Sequence, residues 1–131
     1  MKKELTDRAD IEHLVDEFYK KVLQDGLIGH FFTQVVQISW EKHMPVMYQF
    51  WESVLLGQAS YRGNAMLPHL SLNRKSPLRP EHFERWQKLW HETLDEHFTG
   101  EKVAEAKRKA EQMALLMQFK IEKSGEEGFI L

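Results

Sequence analysis

Apolar side chains recur at three- and four-residue intervals along four stretches of this chain, the spacing of one helix face. In the first, Ile11, Leu14, Val15, Phe18, Val22 and Leu23 form the stripe, and Tyr19 lies beside it. Asp7, Asp10 and Glu12 stand near its start, where the helix dipole favours anions. Asp25-Gly26 is expected to end this helix, with Gly26 supplying a left-handed cap. A second helix is expected to begin between Ser39 and Met44 and to run to about Leu56, stopped by Gly57. Trp40, Met44, Met47, Phe50, Trp51, Val54 and Leu55 cover its apolar face. Pro45 has no N–H to give and fits only the first turn, so this helix either starts near His43 or kinks there.

Pro80-Glu81-His82 opens a third helix, with proline and an acid in its first turn. Its inner face reads Phe83, Trp86, Leu89, Trp90, Thr93, Leu94, His97 and Phe98, and Thr99-Gly100 breaks it. A fourth runs from about Glu101 to Ile121, with Val103, Ala106, Ala110, Met113, Ala114, Met117 and Ile121 inward and Lys or Glu elsewhere. Residues 124–131 read as a frayed tail with an apolar end. Between the first two helices, Leu27 to Phe32 reads as an aromatic-rich helical turn that plugs the core, and 33–39 as a loop. Residues 58–80 have no period and carry Gly63, Asn64, Pro68, Asn73, Pro77 and Pro80. Unstructured connections longer than about 15 residues are uncommon unless functional or disordered. Ala65, Met66, Leu67 and Leu70 argue against disorder here. No alternating strand pattern, repeat or linker interrupts the reading. The expectation is all-α, a single domain over residues 1–131.

Composition narrows the chemistry. The absence of cysteine excludes disulfides, thiolate zinc sites, iron–sulfur clusters, a cysteine nucleophile and covalent C-x-x-C-H haem attachment. A formal charge of −2 gives no reason to expect a nucleic acid or an anionic membrane as partner. The mean hydropathy is −0.54 and no apolar run approaches the roughly 18 residues of a membrane span. The first seven residues hold a basic pair but no apolar stretch, so no signal peptide is expected and the cytoplasm is the default location.

Phosphate-binding glycine loops, H-E-x-x-H and G-x-S-x-G are all missing. Of the seven histidines, His13, His30, His82, His91 and His97 read as ordinary surface or core residues, His91 facing solvent and His97 sharing the inner face with Trp90. Two differ in context. His69 lies in Met66-Leu67-Pro68-His69-Leu70, where an imidazole among apolar neighbours needs a partner, either a metal in an apolar cavity or a backbone carbonyl. His43 stands at the start of the second helix and can face inward or line a solvent opening.

From Ile11 to Ile121 the sequence resembles the truncated haemoglobins, and within them group III. Phe18-Tyr19 resembles the family's distal aromatic pair, and the run from Trp40 through His43, Pro45 and Tyr48 to Phe50-Trp51 resembles its distal helix. Leu55-Leu56-Gly57, Tyr61-Arg62-Gly63-Asn64 and Pro68-His69-Leu70-Ser71-Leu72 resemble the approach to the haem-ligating histidine. Pro80-Glu81-His82-Phe83-Glu84-Arg85-Trp86 resembles the next helix with its pocket tryptophan, and the paired-glycine turns of groups I and II are missing.

The resemblance implies a truncated globin, a two-over-two helical sandwich around haem b, with a short irregular proximal segment where residues 58–80 lie. His69 would ligate the iron through one ring nitrogen, the other donating to a backbone carbonyl or another acceptor. Tyr19 and Trp86 would be distal donors to a ligand, and His43 a gate or a third donor. Phe18, Phe32, Met47 and Phe50 or Trp51 would wall the ring. The ligands implied are dioxygen, nitric oxide and carbon monoxide at ferrous iron. Two activities fit: conversion of nitric oxide to nitrate, or peroxide chemistry, each needing an external electron donor because no flavin or nicotinamide domain is legible. The alternative is a module that stores, senses or delivers dioxygen without turnover.

Overall fold

The chain begins with a latch. A computed structural model describes residues 2–35, 39–57 and 76–127, the side chains of 124–127 excepted. Strand β1 (Lys3–Glu4) pairs in parallel with β2 (Phe98–Thr99), Lys3 opposite Phe98 and Glu4 opposite Thr99. Helix α1 (Arg8–Gln24) then opens on a capping box. The Asp10 N–H donates to Asp7 Oδ1 at 3.0 Å, and the Asp10 carboxylate accepts from the N–H groups of Thr6 at 2.9 Å and Asp7 at 3.3 Å. Such a reciprocal cap is worth about 1 kcal/mol. Lys3 Nζ adds bonds to both Asp10 oxygens at 2.8 and 2.9 Å, so one buried carboxylate ties the amino-terminal arm to the first turn.

That carboxylate predicts an acid-sensitive fold. Burial alone would raise its pKa, but Lys3, Thr6 and the Asp7 N–H together hold it at about 2, below the ordinary 3.8. A depressed carboxylate stabilises the fold above its unfolded pKa, and that contribution is lost as pH falls through the folded value. Urea midpoints are therefore expected to drop between about pH 4 and pH 2, by about 2 kcal/mol of stability. Asp10→Asn should remove most of that dependence and lower stability at pH 7. An unchanged acid limb in the variant would show that another group carries it.

The end of α1 differs from the sequence expectation. Gly26 adopts no left-handed conformation; positive φ occurs only at Gly57 and Gly100 among the described residues. Asp25 closes the helix instead, in an extended conformation with its N–H donating to the Val22 carbonyl. Its carboxylate accepts from the N–H groups of Leu27 and Ile28, both at 3.0 Å, and from Arg85 at 2.7 Å. The Asp25 backbone N–H thus closes α1, and its carboxylate caps the N–H groups that open the following turn. Residues Phe31–Val35 then form a short π-helical turn where a loop was expected from residue 33 onward.

Helix α2 (Trp40–Leu56) starts at the early edge of the expected window and keeps Pro45 inside it. The Ser39 carbonyl accepts from both Lys42 at 3.0 Å and His43 at 2.8 Å, which holds the first turn although proline gives nothing to the carbonyl four residues back. Gly57 ends α2 at φ +70°, the left-handed cap expected there. Helix α3 (Pro80–His97) and helix α4 (Glu101–Glu127) are the remaining helices among the described residues, with α4 continuing six residues past the expected end at Ile121. The expected frayed tail is therefore helical as far as Glu127.

Helix α1 packs on both α2 and α3, α3 packs along α4, and α2 touches α4. Two helix pairs lie across one another, the two-over-two sandwich. Ala106, Ala110 and Ala114 are buried on α4, so small side chains let α3 approach and seat Trp90, whose Nε1–H donates to the Ala106 carbonyl at 3.2 Å. The solvent face of α4 departs from the expected lysine and glutamate pattern: Leu115, Leu116 and Phe119 are exposed there. None of the helices among the described residues is long and apolar enough to cross a membrane.

Candidate functional site

Two neighbouring aromatic residues on α1 divide the interior between them. Successive side chains diverge by about 100° around a helix, so Phe18 and Tyr19 serve different neighbours. Phe18 is buried, with its ring edge-on to Trp90 at 5.0 Å and Trp86 at 6.1 Å. Tyr19 meets α2 and the π-helical turn, edge-on to His43 at 5.3 Å, Trp40 at 5.7 Å and Phe32 at 5.8 Å. Trp40 and His43, three residues apart on α2, share a face and pack perpendicular at 5.4 Å.

The polar atoms of this cluster meet: Tyr19 Oη lies 3.2 Å from His43 Nε2. Burial pushes the Tyr19 phenol well above its ordinary value of 10.0, so it keeps its proton at physiological pH. Its single O–H can donate to a neutral His43 or to a ligand, but not fully to both. An incoming acceptor therefore competes with the imidazole.

Below this pair lies an apolar bed. Of all the side chains of α2, only Trp51 and Leu55 are buried, although the helix is rich in apolar residues. Met44, Met47, Phe50 and Val54 are half-buried along it, with Trp86 from α3 and Met113 from α4 also packed at the edge of the core. A half-open face of long, soft apolar side chains with a few donors at its rim suits a flat apolar group. Haem is such a group, and the residues present fit it.

The residues expected at the site are distributed as follows. Tyr19, His43 and Phe32 come together directly, and Trp86 joins them through Phe18. Met47 and Phe50 line the half-open face of α2. Trp51 is turned into the core, stacked on Trp90 at 4.3 Å. His69 lies outside the described residues, as do Tyr61 and the rest of its motif. Trp40 belongs to the apolar face of α2 and opens the run that resembles the distal helix, but it is not among the expected site residues; its spacing from His43 is the signal in the sequence that both address one ring.

Two histidines differ from expectation. His97 sits at the edge of the inner face and not within it: it is half-buried against α1, with Nε2 3.7 Å from Glu17 Oε1 and its ring edge-on to His13 at 4.9 Å. The chain leaves the helix at that point, and extended Phe98 turns into the core instead. His91 does not simply face solvent; it is half-buried, 3.6 Å from Glu111.

A helical sandwich with this bed and rim defines a globin, and residues 4–121 match the bacterial-like globin family. Over 98 residues the chain is 35% identical to the group 3 truncated hemoglobin ctb of Campylobacter jejuni, covering 72% of this chain and 75% of that protein. The crystal structure of the group III truncated hemoglobin from Campylobacter jejuni aligns with a TM-score of 0.81 at 30% identity, over 92% of this chain and 95% of that one. The chain belongs to the group III truncated haemoglobins. Haem binding, with small diatomic ligands such as oxygen, follows from that membership.

Proposed function

We propose that this protein holds haem b on the half-open face of α2 and converts nitric oxide and dioxygen to nitrate, with electrons from an external donor. The observation that carries the reading is the Tyr19–His43 pair at 3.2 Å, set in an aromatic ring at the rim of the apolar bed. The absence of cysteine leaves non-covalent haem as the form the chain can hold. When bound, the haem supplies reversible capture of a diatomic and its activation toward nitric oxide. His69 is the iron ligand in this reading, and Phe18, Phe32, Met47 and Phe50 exclude water. Tyr19 would keep its proton and offer it as a hydrogen bond to the negative end of dioxygen, and Trp86 would be the second hydrogen-bond donor. Each nitrate formed from nitric oxide and dioxygen consumes one electron, which an external donor must return.

The test begins with colour: an absorption spectrum of the purified protein reports haem directly. Mixing its oxygenated form with nitric oxide should yield nitrate at once, and a reductant should restore the starting spectrum. Release of unchanged dioxygen would make the protein a carrier rather than an enzyme.

His43 is the gate in this reading, because its imidazole, on the first turns of α2, packs edge-on against both Tyr19 and Trp40. His43→Leu is expected to raise the carbon monoxide association rate several-fold, read by flash photolysis. An unchanged rate would end the gating role and leave His43 as a partner of Tyr19.

A further inference from the structure

Three tryptophans stack across the interface of α2 and α3. Trp51 on α2 lies over Trp90 on α3, ring centroids 4.3 Å apart and planes 26° apart. Trp86, one turn earlier on α3, lies 6.4 Å from Trp90 with planes 2° apart. At the pocket end Phe18 joins Trp86 at 6.1 Å to Tyr19 at 5.2 Å. At the other end, Tyr48 precedes Trp51 by one turn of α2, so the two share a helix face. The Tyr48 O–H donates to Asp16 Oδ1 on α1, and the Arg8 guanidinium lies 5.6 Å from the ring centre.

Indoles and phenols are the side chains most readily oxidised by one electron, and electron transfer weakens steeply with distance. Contacting indoles therefore conduct where a gap of aliphatic side chains would not. A phenol gives up its electron easily only if its proton can leave with it. Burial and then the bond to Asp16 push the Tyr48 phenol up to about 12, so it stays protonated, with an acceptor already in place. Packing requires large side chains here, but not a run of indoles that ends on a phenol bonded to a carboxylate.

We propose that the Trp86–Trp90–Trp51 stack carries oxidising equivalents out of the pocket when hydrogen peroxide reacts there, and that Tyr48 with Asp16 is where they discharge. The inference rests on the haem reading above. Tyr48 loses one electron through the stack and its phenolic proton to the Asp16 carboxylate, leaving a neutral phenoxyl radical and a carboxylic acid that returns the proton to solvent. One hydrogen peroxide becomes two waters by taking two electrons and two protons; Tyr48 of the same chain supplies one of each, and a small one-electron donor that carries its own proton supplies the other. The half-buried Tyr48 is then the point at which a small one-electron donor, such as a phenol or an enediol, restores the chain.

The experiment uses the haem-loaded ferric protein, mixed with hydrogen peroxide and frozen for electron paramagnetic resonance, with parallel peptide mass spectrometry. A tyrosyl signal and oxidation marks at Tyr48 are expected, both absent in Tyr48→Phe. Trp90→Phe should lower the Tyr48 signal by about tenfold, one decade of rate, with the haem spectrum unchanged and marks shifting to Trp86 or Tyr19. Asp16→Asn, a change outside the core, should lower it as well and keeps the test decisive if Trp90→Phe does not fold. A coloured protein whose Tyr48 is unmarked, or marked equally in both variants, overturns the relay alone. A protein that takes up no haem overturns the haem reading and the relay with it.

Discussion

Replacing His69 with alanine is expected to leave the helices in place and abolish stable haem retention. His69 stands in Met66-Leu67-Pro68-His69-Leu70, an apolar setting in which a lone imidazole needs a strong partner. The other histidines have visible employment. His43 meets Tyr19, His97 meets Glu17 and His13, and the His82 Nδ1 accepts from the Arg79 N–H at 2.9 Å. A globin held by one protein ligand loses its fifth coordination position when that imidazole goes, and the apolar bed alone does not keep the group. Far-ultraviolet circular dichroism should report unchanged helix while the visible spectrum disappears after desalting. A histidine-ligated spectrum that survives His69→Ala would move the ligand to another residue.

Tyr19→Phe and Trp86→Phe are each expected to raise the dioxygen dissociation rate by about tenfold or more, since 1.4 kcal/mol is one decade. Phenylalanine keeps the Tyr19 ring among Phe32, Trp40 and His43 and removes only the hydroxyl, so that variant tests the hydrogen bond by itself. A donor in a dry pocket is worth about 1.5–3 kcal/mol to a charged acceptor. Carbon monoxide carries far less negative charge when held and should respond weakly. The double variant should fall short of the product, because donors that share one acceptor are not additive. The Tyr19–His43 bond adds a further expectation. Removing His43 frees the Tyr19 O–H, so His43→Leu should slow dioxygen release while Tyr19→Phe hastens it. Equal effects on dioxygen and carbon monoxide would show that shape, not hydrogen bonding, governs the pocket.

The four helices were legible because helix formation is written locally. A stripe such as Ile11, Leu14, Val15, Phe18 and Val22 needs only one face to bury, and Gly57 needs only its own freedom at positive φ. The ordered motifs around Tyr19, His43 and Trp86 carried the family for the same reason: each is a short run whose residues stay neighbours in any fold. Other features depended on partners distant in sequence. The close of α1 went to Asp25 and not Gly26: the Asp25 N–H donates to the Val22 carbonyl, while its carboxylate, held by Arg85 from α3, caps the two N–H groups of the next turn. Pro45 could remain inside α2 because the Ser39 carbonyl serves two donors and the helix lies against α1. The Tyr19–His43 bond and the stacking of Trp51 on Trp90 join helices that periodicity treats as independent. Sequence spacing told which face each helix would bury. Only the packing of α1 on α2 and on α3 decided which side chains would touch, because contacts between helices follow from how they pack and not from the period within either.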